Sequence, residues 1–554
     1  MVHKSTFRDI EIPECNILSY LFPKDKTPST RPLWIDARSP EKSLSPASLL
    51  LWVQRCALGL DRLGIPTNEA IMVFTPNHIF VPVVYLAAAG SKRYYTGANP
   101  TYTVDELAFQ ISTVKPAVVL IHPSLFKTGH AALKKTNLSH RTQVFLFDDS
   151  DCAEEEGVRD WKTFLASKQD AASWRWDDLG HDARTQIATI NFSSGTTGLP
   201  KGVCISHHNI VSNTSQTINV KYSQKRDERN HSAEKWLAFL PLYHAFSQLF
   251  TINIACRLGV TVYIMQKFSL LDFLYNIQRY QITTIQAVPP IMNMLAKRPE
   301  TARYDISNVR NIMVGAAPLS IQLGNELTTR FDFCIARGWG MTETTCVGIL
   351  MPDDMSNCDG TSGYLLPNTE AKLVDEDGCE VADAPGELWI RGPQTMLGYW
   401  NNNSATRETV TSDGWVKTGD IVTVKNNMFW VVDRKKELIK VNGLQVAPAE
   451  LEALLLHHEQ IADAAVVGLV TADGDEFPRA YVVPRPGLKP EEQLTEQDVQ
   501  SYVARNVAKH KRLTGGVRFE TVIPTLPSGK IMRSVVRQWA KQDAKAFGPR
   551  RSLL

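Results

Sequence analysis

The sequence lacks most devices that would tie it to an extracellular, membrane or nucleic-acid setting. Its nine cysteines are scattered, odd in number and include no C-x-x-C pair. That pattern argues against a zinc site or a disulfide framework and fits reduced thiols in an intracellular compartment. No uninterrupted apolar run is long enough to span a bilayer. The opening residues Met1 to Asp9 lack the apolar heart of a signal peptide. Net charge is only +2, from 60 basic and 58 acidic residues, so charge balance points to neither nucleic acid nor an anionic membrane. Neither a fixed-period repeat nor a low-complexity tract is visible.

The chain has 554 residues, 43% of them hydrophobic and 21% charged. It is too long for one core, so two or more globular domains are expected. Ser45 and Pro46 are placed to start a helix. Its apolar positions Leu49, Trp52, Val53, Cys56, Leu60 and Leu63 recur at helical spacing, and Gly64 ends it. Residues 71–74, 117–121, 144–147, 261–264 and 284–288 read as short buried strands. Their alternation with helical stretches predicts layered α/β architecture with largely parallel sheets. Past about residue 433 the chain becomes charged and compact. A helix opening at Pro448 would carry Glu450 and Glu452 in its first turn and His457 and His458 at its end, as the helix dipole favours. The expected division is a large layered α/β domain over residues 1–432 and a small α+β domain over 433–554, on a hinge near Lys436.

The most informative stretch is Ser193, Ser194, Gly195, Thr196, Thr197, Gly198, Leu199, Pro200, Lys201, Gly202. Such a loop lets backbone N–H groups and hydroxyls close around a polyphosphate. The run 186–192 before it reads as a buried strand that would deliver the loop to the end of a sheet. It is not a Walker A motif, which needs G-x-x-x-x-G-K-[ST]. A Ser/Thr/Gly run alone is more often a flexible loop; Pro200 and Lys201 directly after it favour phosphate binding.

The loop resembles the phosphate-binding signature of the adenylate-forming superfamily, which comprises acyl-CoA synthetases, luciferases and peptide-synthetase adenylation domains. Further elements follow in that superfamily's order: Pro241-Leu-Tyr-His244, Gly315-Ala-Ala-Pro-Leu319, Gly338-Trp-Gly-Met-Thr-Glu343, Trp415-Val-Lys-Thr-Gly-Asp420, Asp433-Arg434 and Pro527-Ser-Gly-Lys530. The segments at Ile12-Pro13, Tyr20-Leu-Phe22 and Val446-Ala-Pro-Ala-Glu-Leu-Glu452 are similar to the branch holding 4-coumarate–CoA ligases, medium-chain acyl-CoA ligases and luciferases. The resemblance covers nearly the whole chain.

It implies a chemistry in which ATP activates a carboxylic acid as an acyl-adenylate, with Mg²⁺, before transfer to coenzyme A. Such a reaction needs a held triphosphate, neutralised charge on the departing pyrophosphate, and a carboxylate pinned beside the α-phosphorus. Carried over, Thr196, Thr197 and Lys201 would meet the β- and γ-phosphates, Thr342 the α-phosphate, and Glu343 the metal. Asp420 would accept from the ribose hydroxyls, backed by Arg434. The adenine would lie between Gly315, Ala316, Ala317 and the ring of Trp339, next to Gly340; the family usually has Tyr where Trp339 stands.

His244 would line the carboxylate end of the acid tunnel, whereas His207, His208, His457 and His458 are read as structural. The acid's body would meet Phe246, Thr345, Cys346 and Val347; since none of these is ionisable, an apolar tail is expected, on an aryl, arylpropenoic or medium-chain aliphatic acid. Lys530 would serve adenylation. Lys440, with Gly443 beside the CoA channel, would serve the second half-reaction after rotation about Lys436.

Two other functions compete with an acid–CoA ligase: a stand-alone adenylation enzyme that loads a separate carrier protein, and a catalytically silent ATP-binding scaffold. The presence of Lys530, Glu343, Asp420 and the glycine loop disfavours the scaffold. The chain ends 24 residues after Lys530 with no phosphopantetheine serine motif there, which favours a free thiol acceptor. The likeness to luciferases also allows an oxygenating second half-reaction. The expected partners are a small carboxylic acid, ATP and CoA, with no nucleic acid and no membrane span. A cytoplasmic location is expected; Ser552-Leu553-Leu554 is only loosely like the peroxisomal S-K-L address.

Overall fold

The structure is a computed structural model. It describes residues 1–138, 140–193, 200–223, 233–317, 319–353, 355, 359–382, 384–441, 444–471, 475–487, 494–526 and 529–544. Of the residues singled out above, Ser194, Gly195, Thr196, Thr197, Gly198, Leu199, Pro318, Gly443, Pro527, Ser528 and residues 552–554 lie outside these.

Two large sheets form the layered part. A seven-stranded sheet runs in the order Gly398–Tyr399, Lys201–Ser206, Ile187–Ser193, Tyr94–Ala98, Ala70–Phe74, Val118–Ile121, Gln143–Leu146. Its pairings are parallel from Ile187–Ser193 onward and antiparallel at the Gly398–Tyr399 end. The second sheet has nine strands. Its middle places Cys334–Trp339, Asn311–Val314, Thr284–Ala287, Lys235–Ala238, Thr261–Ile264 and Trp34–Asp36 side by side, all parallel. The expected strands at 71–74, 117–121, 144–147, 261–264 and 284–288 are all present, half of their ends displaced by one residue.

Between the sheets lie helices such as Val81–Gly90, all ten residues of which are buried. A helix apolar all round, with no polar stripe to turn to water, has to be covered on every side. The helix Pro46–Arg62 is capped by Ser45, which accepts from the Ser48 N–H while Ser48 answers with its own hydroxyl. Its apolar stripe then buries Leu49, Val53, Cys56 and Leu60.

A third, antiparallel sheet contains Glu370–Val374, Gly386–Arg391, Val416–Lys425 and Met428–Arg434. The chain leaves this sheet after Arg434. From Ile439 onward it builds separate hydrophobic clusters, one around Leu451, Val466, Val482 and Val499 and one around Tyr481 and Val536. Among the described residues these hold the hairpin Ile439–Val441/Leu444–Val446, a three-stranded sheet and three α-helices.

The helix Pro448–His457 forms as expected, but only Glu450 sits in its first turn and His458 lies just past its end. Glu452 is buried instead, where its carboxylate accepts both Arg533 Nη atoms at 2.7 and 2.8 Å. Among the described residues, no helix is long and apolar enough to cross a membrane.

Candidate active site

The site lies where parallel strands of the second sheet end. In open α/β sheets the carboxyl ends of strands are where backbone turns away and leaves a crevice. Lys235–Ala238 leads into Pro241–His244, Thr284–Ala287 into Val288-Pro289-Pro290, Asn311–Val314 into Gly315, and Cys334–Trp339 into Gly340. Buried amides fix the first of these turns. Asn77 donates to the carbonyls of Leu240 and Met265 and accepts from the Leu242 N–H. Asn191 and Gln248 exchange side-chain bonds at 2.9 and 3.1 Å, and Gln248 also donates to the Tyr243 carbonyl. His244 is thereby held as the cap of the next helix, its Nδ1 accepting from the Phe246 N–H at 3.3 Å. Burial, with the Lys530 charge adding to it, pushes the imidazole down to about 4. It is therefore neutral at pH 7. With Nδ1 an acceptor, its proton sits on Nε2, which is left as a donor.

The seven-stranded sheet supplies the opposite wall. Ser193 and Lys201 face each other across the antiparallel pair of strands, closing both ends of the 194–200 connection. Ser193 Oγ donates to Glu343 Oε1 at 3.0 Å, and the Tyr399 hydroxyl donates to the same oxygen at 2.9 Å. The Lys201 ammonium lies 4.9 Å above the Tyr399 ring, close enough for a cation–π contact. Burial and the Glu343 carboxylate push the Tyr399 phenol far up, so it remains a donor. Glu343 is buried, yet Oε2 makes no hydrogen bond to the described residues. The hydroxyl of Thr342, half-buried beside it, is uncommitted in the same sense. A carboxylate with one oxygen pinned and one free suits Mg²⁺, which takes few protein ligands and fills its octahedron with phosphate and water.

The third sheet contributes the remaining groups. Asp420 and Arg434 are directly paired across neighbouring strands, their charged atoms 3.3 Å apart. The Trp339 indole N–H donates to Asp420 Oδ2 at 2.8 Å. Burial raises the Asp420 carboxyl, while Arg434, Trp339 and Lys530 hold it down. Gly340 is required sterically, because a Cβ there would stand 1.6 Å from the Cys346 carbonyl oxygen. Ala316 and Thr345, flanking the same crevice, both have positive φ, at 70° and 62°. Such backbone is costly for residues with a Cβ and tends to collect at functional sites.

Lys530 enters this crevice from the small core. Its turn is closed by Gly529 N–H donating to the Leu526 carbonyl and Leu526 N–H to the Lys530 carbonyl, both at 2.8 Å. Gly529 has φ +79°, and a Cβ there would stand 2.8 Å from Val288. Only glycine lets the turn lie this close to the strand end. Burial and the Arg434 charge lower the Lys530 ammonium, while Asp420, Glu343 and Glu437 raise it.

Thus His244, Glu343, Asp420, Arg434 and Lys530 share one field, with Ser193 and Lys201 on its wall. Lys440 does not: it is exposed on its hairpin, and its backbone N–H donates to Glu476. Lys436 is exposed in the connection between sheet and small core. Phe246 is buried, its ring 3.6 Å from where a Cβ on Gly315 would be, and it meets Phe250 edge-to-face at 5.2 Å.

The run after Glu343 is less open than expected for an acid-lining segment. The Thr345 hydroxyl donates to the Gln394 carbonyl at 2.7 Å, and Val347 is held at both backbone groups by Asn213. Only Cys346 is half-exposed. Of the histidines read as structural, His207 is fully buried and accepts from the Ile17 N–H. Sequence reasoning missed Tyr399, which reaches Glu343 only because Gly398–Tyr399 pairs with the strand of Lys201. It also missed the bond from Trp339 to Asp420. Where the resembled family usually has Tyr, Trp339 supplies an indole N–H, a donor the residue type alone could have suggested.

Comparison with known proteins agrees with this architecture. Residues 24–400 match the AMP-binding enzyme family and residues 450–530 the AMP-binding enzyme C-terminal domain. Phenylacetyl-CoA ligase epaB of Aspergillus niger is 32% identical over 546 residues, covering 97% of this chain and 98% of the relative. 4-Coumarate–CoA ligase 2 of Solanum tuberosum is 33% identical over 551 residues, covering 97% and 96%. Among solved structures, ATP-bound MatB from Rhodopseudomonas palustris superposes with a TM-score of 0.82 at 24% identity, covering 96% of this chain and 100% of that one.

Proposed function

The chain belongs to the AMP-binding enzyme family, and from that membership we propose that it is an ATP-dependent acid–CoA ligase. It joins an acid to AMP with release of pyrophosphate, then passes the acyl group to the thiol of CoA with release of AMP. The acid is of the aryl or arylpropenoic class, in keeping with relatives named phenylacetyl-CoA and 4-coumarate–CoA ligases. The observation that carries the reading is the seating of Lys530 among Glu343, Asp420 and His244 at the strand ends.

Each group has a job in the first half-reaction. Asp420, oriented by Trp339 and Arg434, receives the ribose hydroxyls. Thr342 and Lys201 donate to phosphate oxygens, and the Nε2–H of neutral His244 donates to the acid's carboxylate. Lys530 stands between carboxylate and α-phosphate, where charge builds as the new bond forms. Glu343 would hold Mg²⁺ through its free oxygen; when bound, the ion neutralises charge on the departing pyrophosphate.

For the second half-reaction the small domain, residues 433–554 in this reading, turns about Lys436 and exchanges Lys530 for Lys440 and the neighbouring Gly443. Cysteines without paired spacing suit a reducing, cytoplasmic compartment.

The test is isotope exchange. Acid-dependent exchange of pyrophosphate into ATP is expected, followed by acyl-CoA and AMP once CoA is added. Release of ADP and phosphate would overturn the reading.

A further inference from the structure

We propose that Tyr399 is a positioning residue that keeps the Lys201 ammonium and the Glu343 carboxylate from pairing with each other before nucleotide binds. The proposal rests on the ligase reading above and adds to it a residue that prepares the site for a triphosphate.

Strand pairing places the ring. Gly398–Tyr399 runs antiparallel to Lys201–Ser206, with Tyr399 opposite Val203. Residues two apart on a strand share a face, so Lys201 is the diagonal neighbour of Tyr399, within reach of a ring and a long side chain. The same segment is fastened to Glu343, whose carbonyl accepts from the Met396 N–H at 2.8 Å. Tyr399 is buried and so confined between the strand of Lys201 and the turn of Glu343.

Its chemistry suits both neighbours. The electron-rich ring face lies 4.9 Å from the Lys201 ammonium. The hydroxyl donates to Glu343 Oε1 at 2.9 Å, beside the bond from Ser193. One tyrosine thus satisfies a cation and an anion at different places on its surface. Lys201 and Glu343 form no ion pair with each other or with any other described residue. Opposite charges that can meet in a partly dehydrated crevice pair and cancel, and a nucleotide would then have to separate them. Engaged by Tyr399, Lys201 keeps its charge for β- and γ-phosphate oxygens, and Glu343 keeps Oε2 for a cation. A leucine would fill much of the same space on the sheet but has neither an electron-rich face nor a donor.

The test measures nucleotide affinity by calorimetry without metal or acid, so that no turnover is needed. Tyr399→Leu is expected to weaken ATP about 10-fold and AMP, which has no β- or γ-phosphate, less than about 2-fold. Tyr399→Phe keeps the ring and should cost ATP less than about 3-fold. Glu343→Gln removes the carboxylate onto which Lys201 would collapse. Its gain in ATP affinity should therefore be about 5-fold larger in the Tyr399→Leu background than in the unaltered one, a coupling read from the double-mutant cycle. Tyr399→Met repeats the series in a straight side chain should the leucine variant fail to fold in a thermal melt.

The proposal is overturned if ATP and AMP weaken alike, as they would around a purely structural residue. It is equally overturned if the Phe and Leu variants lose the same affinity for ATP, or if the cycle is additive. Absence of acyl-AMP from every acid would instead sink the ligase reading, and the ATP-to-AMP affinity ratios would still decide the role of Tyr399.

Discussion

The turn that carries Lys530 and the hairpin that carries Lys440 grow from the same small core, but only the first reaches into the crevice. The Lys530 turn is pressed against Val288 and Pro290 through Gly529. Its ammonium sits in the field of Arg434, Asp420 and Glu343. The Lys440 side chain is exposed, with Glu476 tied to its backbone rather than to its charge. Burying a lysine beside an arginine is unfavourable unless carboxylates or an anion compensate. Asp420, Glu343 and Glu437 supply that compensation for Lys530, and in the proposed reaction an anionic ligand would add to it, whereas Lys440 faces solvent. In the proposed reaction the two lysines would take turns in one crevice, which calls for two arrangements of the small core.

Separating the two half-reactions gives the largest expected effect. Lys530→Ala should slow acyl-adenylate formation by about 10³-fold, the scale of losing one preorganised charge at a developing transition state. It should still convert supplied acyl-AMP and CoA to thioester. Lys440→Ala should do the reverse. Stopped-flow measurement of each half-reaction in both folded variants decides it. Equal slowing of both halves in each variant would break the contrast and point to a single fixed site.

Much of this contrast was legible in the sequence, because its parts are local. Ser45 before Pro46 specified a helix start and the run 284–288 a buried strand, and the structure has both. What was not legible depends on pairing between distant segments. Tyr399 bonds Glu343 across 56 positions of sequence and Trp339 bonds Asp420 across 81. Thr345 stood beside the motif in sequence, but its positive φ turns the hydroxyl to Gln394. Register and backbone sign are properties of the assembled sheets, and a local window does not contain them.

A smaller effect should fall on one side of the comparison only. Glu343→Gln keeps the shape that receives Ser193 and Tyr399 but removes the charge facing the metal. Adenylation at fixed Mg²⁺ should drop roughly 10²-fold, and the Mg²⁺ concentration for half-maximal rate should rise by 10- to 100-fold. Thioester formation from supplied acyl-AMP, which needs no departing pyrophosphate, should change little. A folded variant with unaltered Mg²⁺ dependence would remove Glu343 from the metal and leave it a scaffold for Tyr399.

The smallest effect concerns the contacts that hold the present arrangement. Lys297, at the end of the helix Pro289–Lys297, donates across to the small core at the carbonyls of Leu456 and Ile461, at 2.6 and 3.1 Å. Asn293 on the same helix donates to the Ala462 carbonyl at 3.1 Å, and Asp433 accepts from the Ala449 N–H at 3.0 Å. In the proposed turn, if only the residues after Lys436 move, all of these bonds would have to break while the core of each part stays intact. Burial lowers the Lys297 ammonium, so its bonds are made at some desolvation cost. Their net contribution is on the order of 1 kcal/mol. Lys297→Ala leaves helix propensity and both catalytic lysines in place. It should therefore shift the balance between arrangements by about 5-fold, slowing adenylation by up to that factor while leaving thioester formation equal or faster. The sign is the informative part: opposite responses of the two half-reactions to a residue that touches neither substrate would show that the Lys530 and Lys440 states compete. Parallel slowing of both would mean that Lys297 only stabilises the fold.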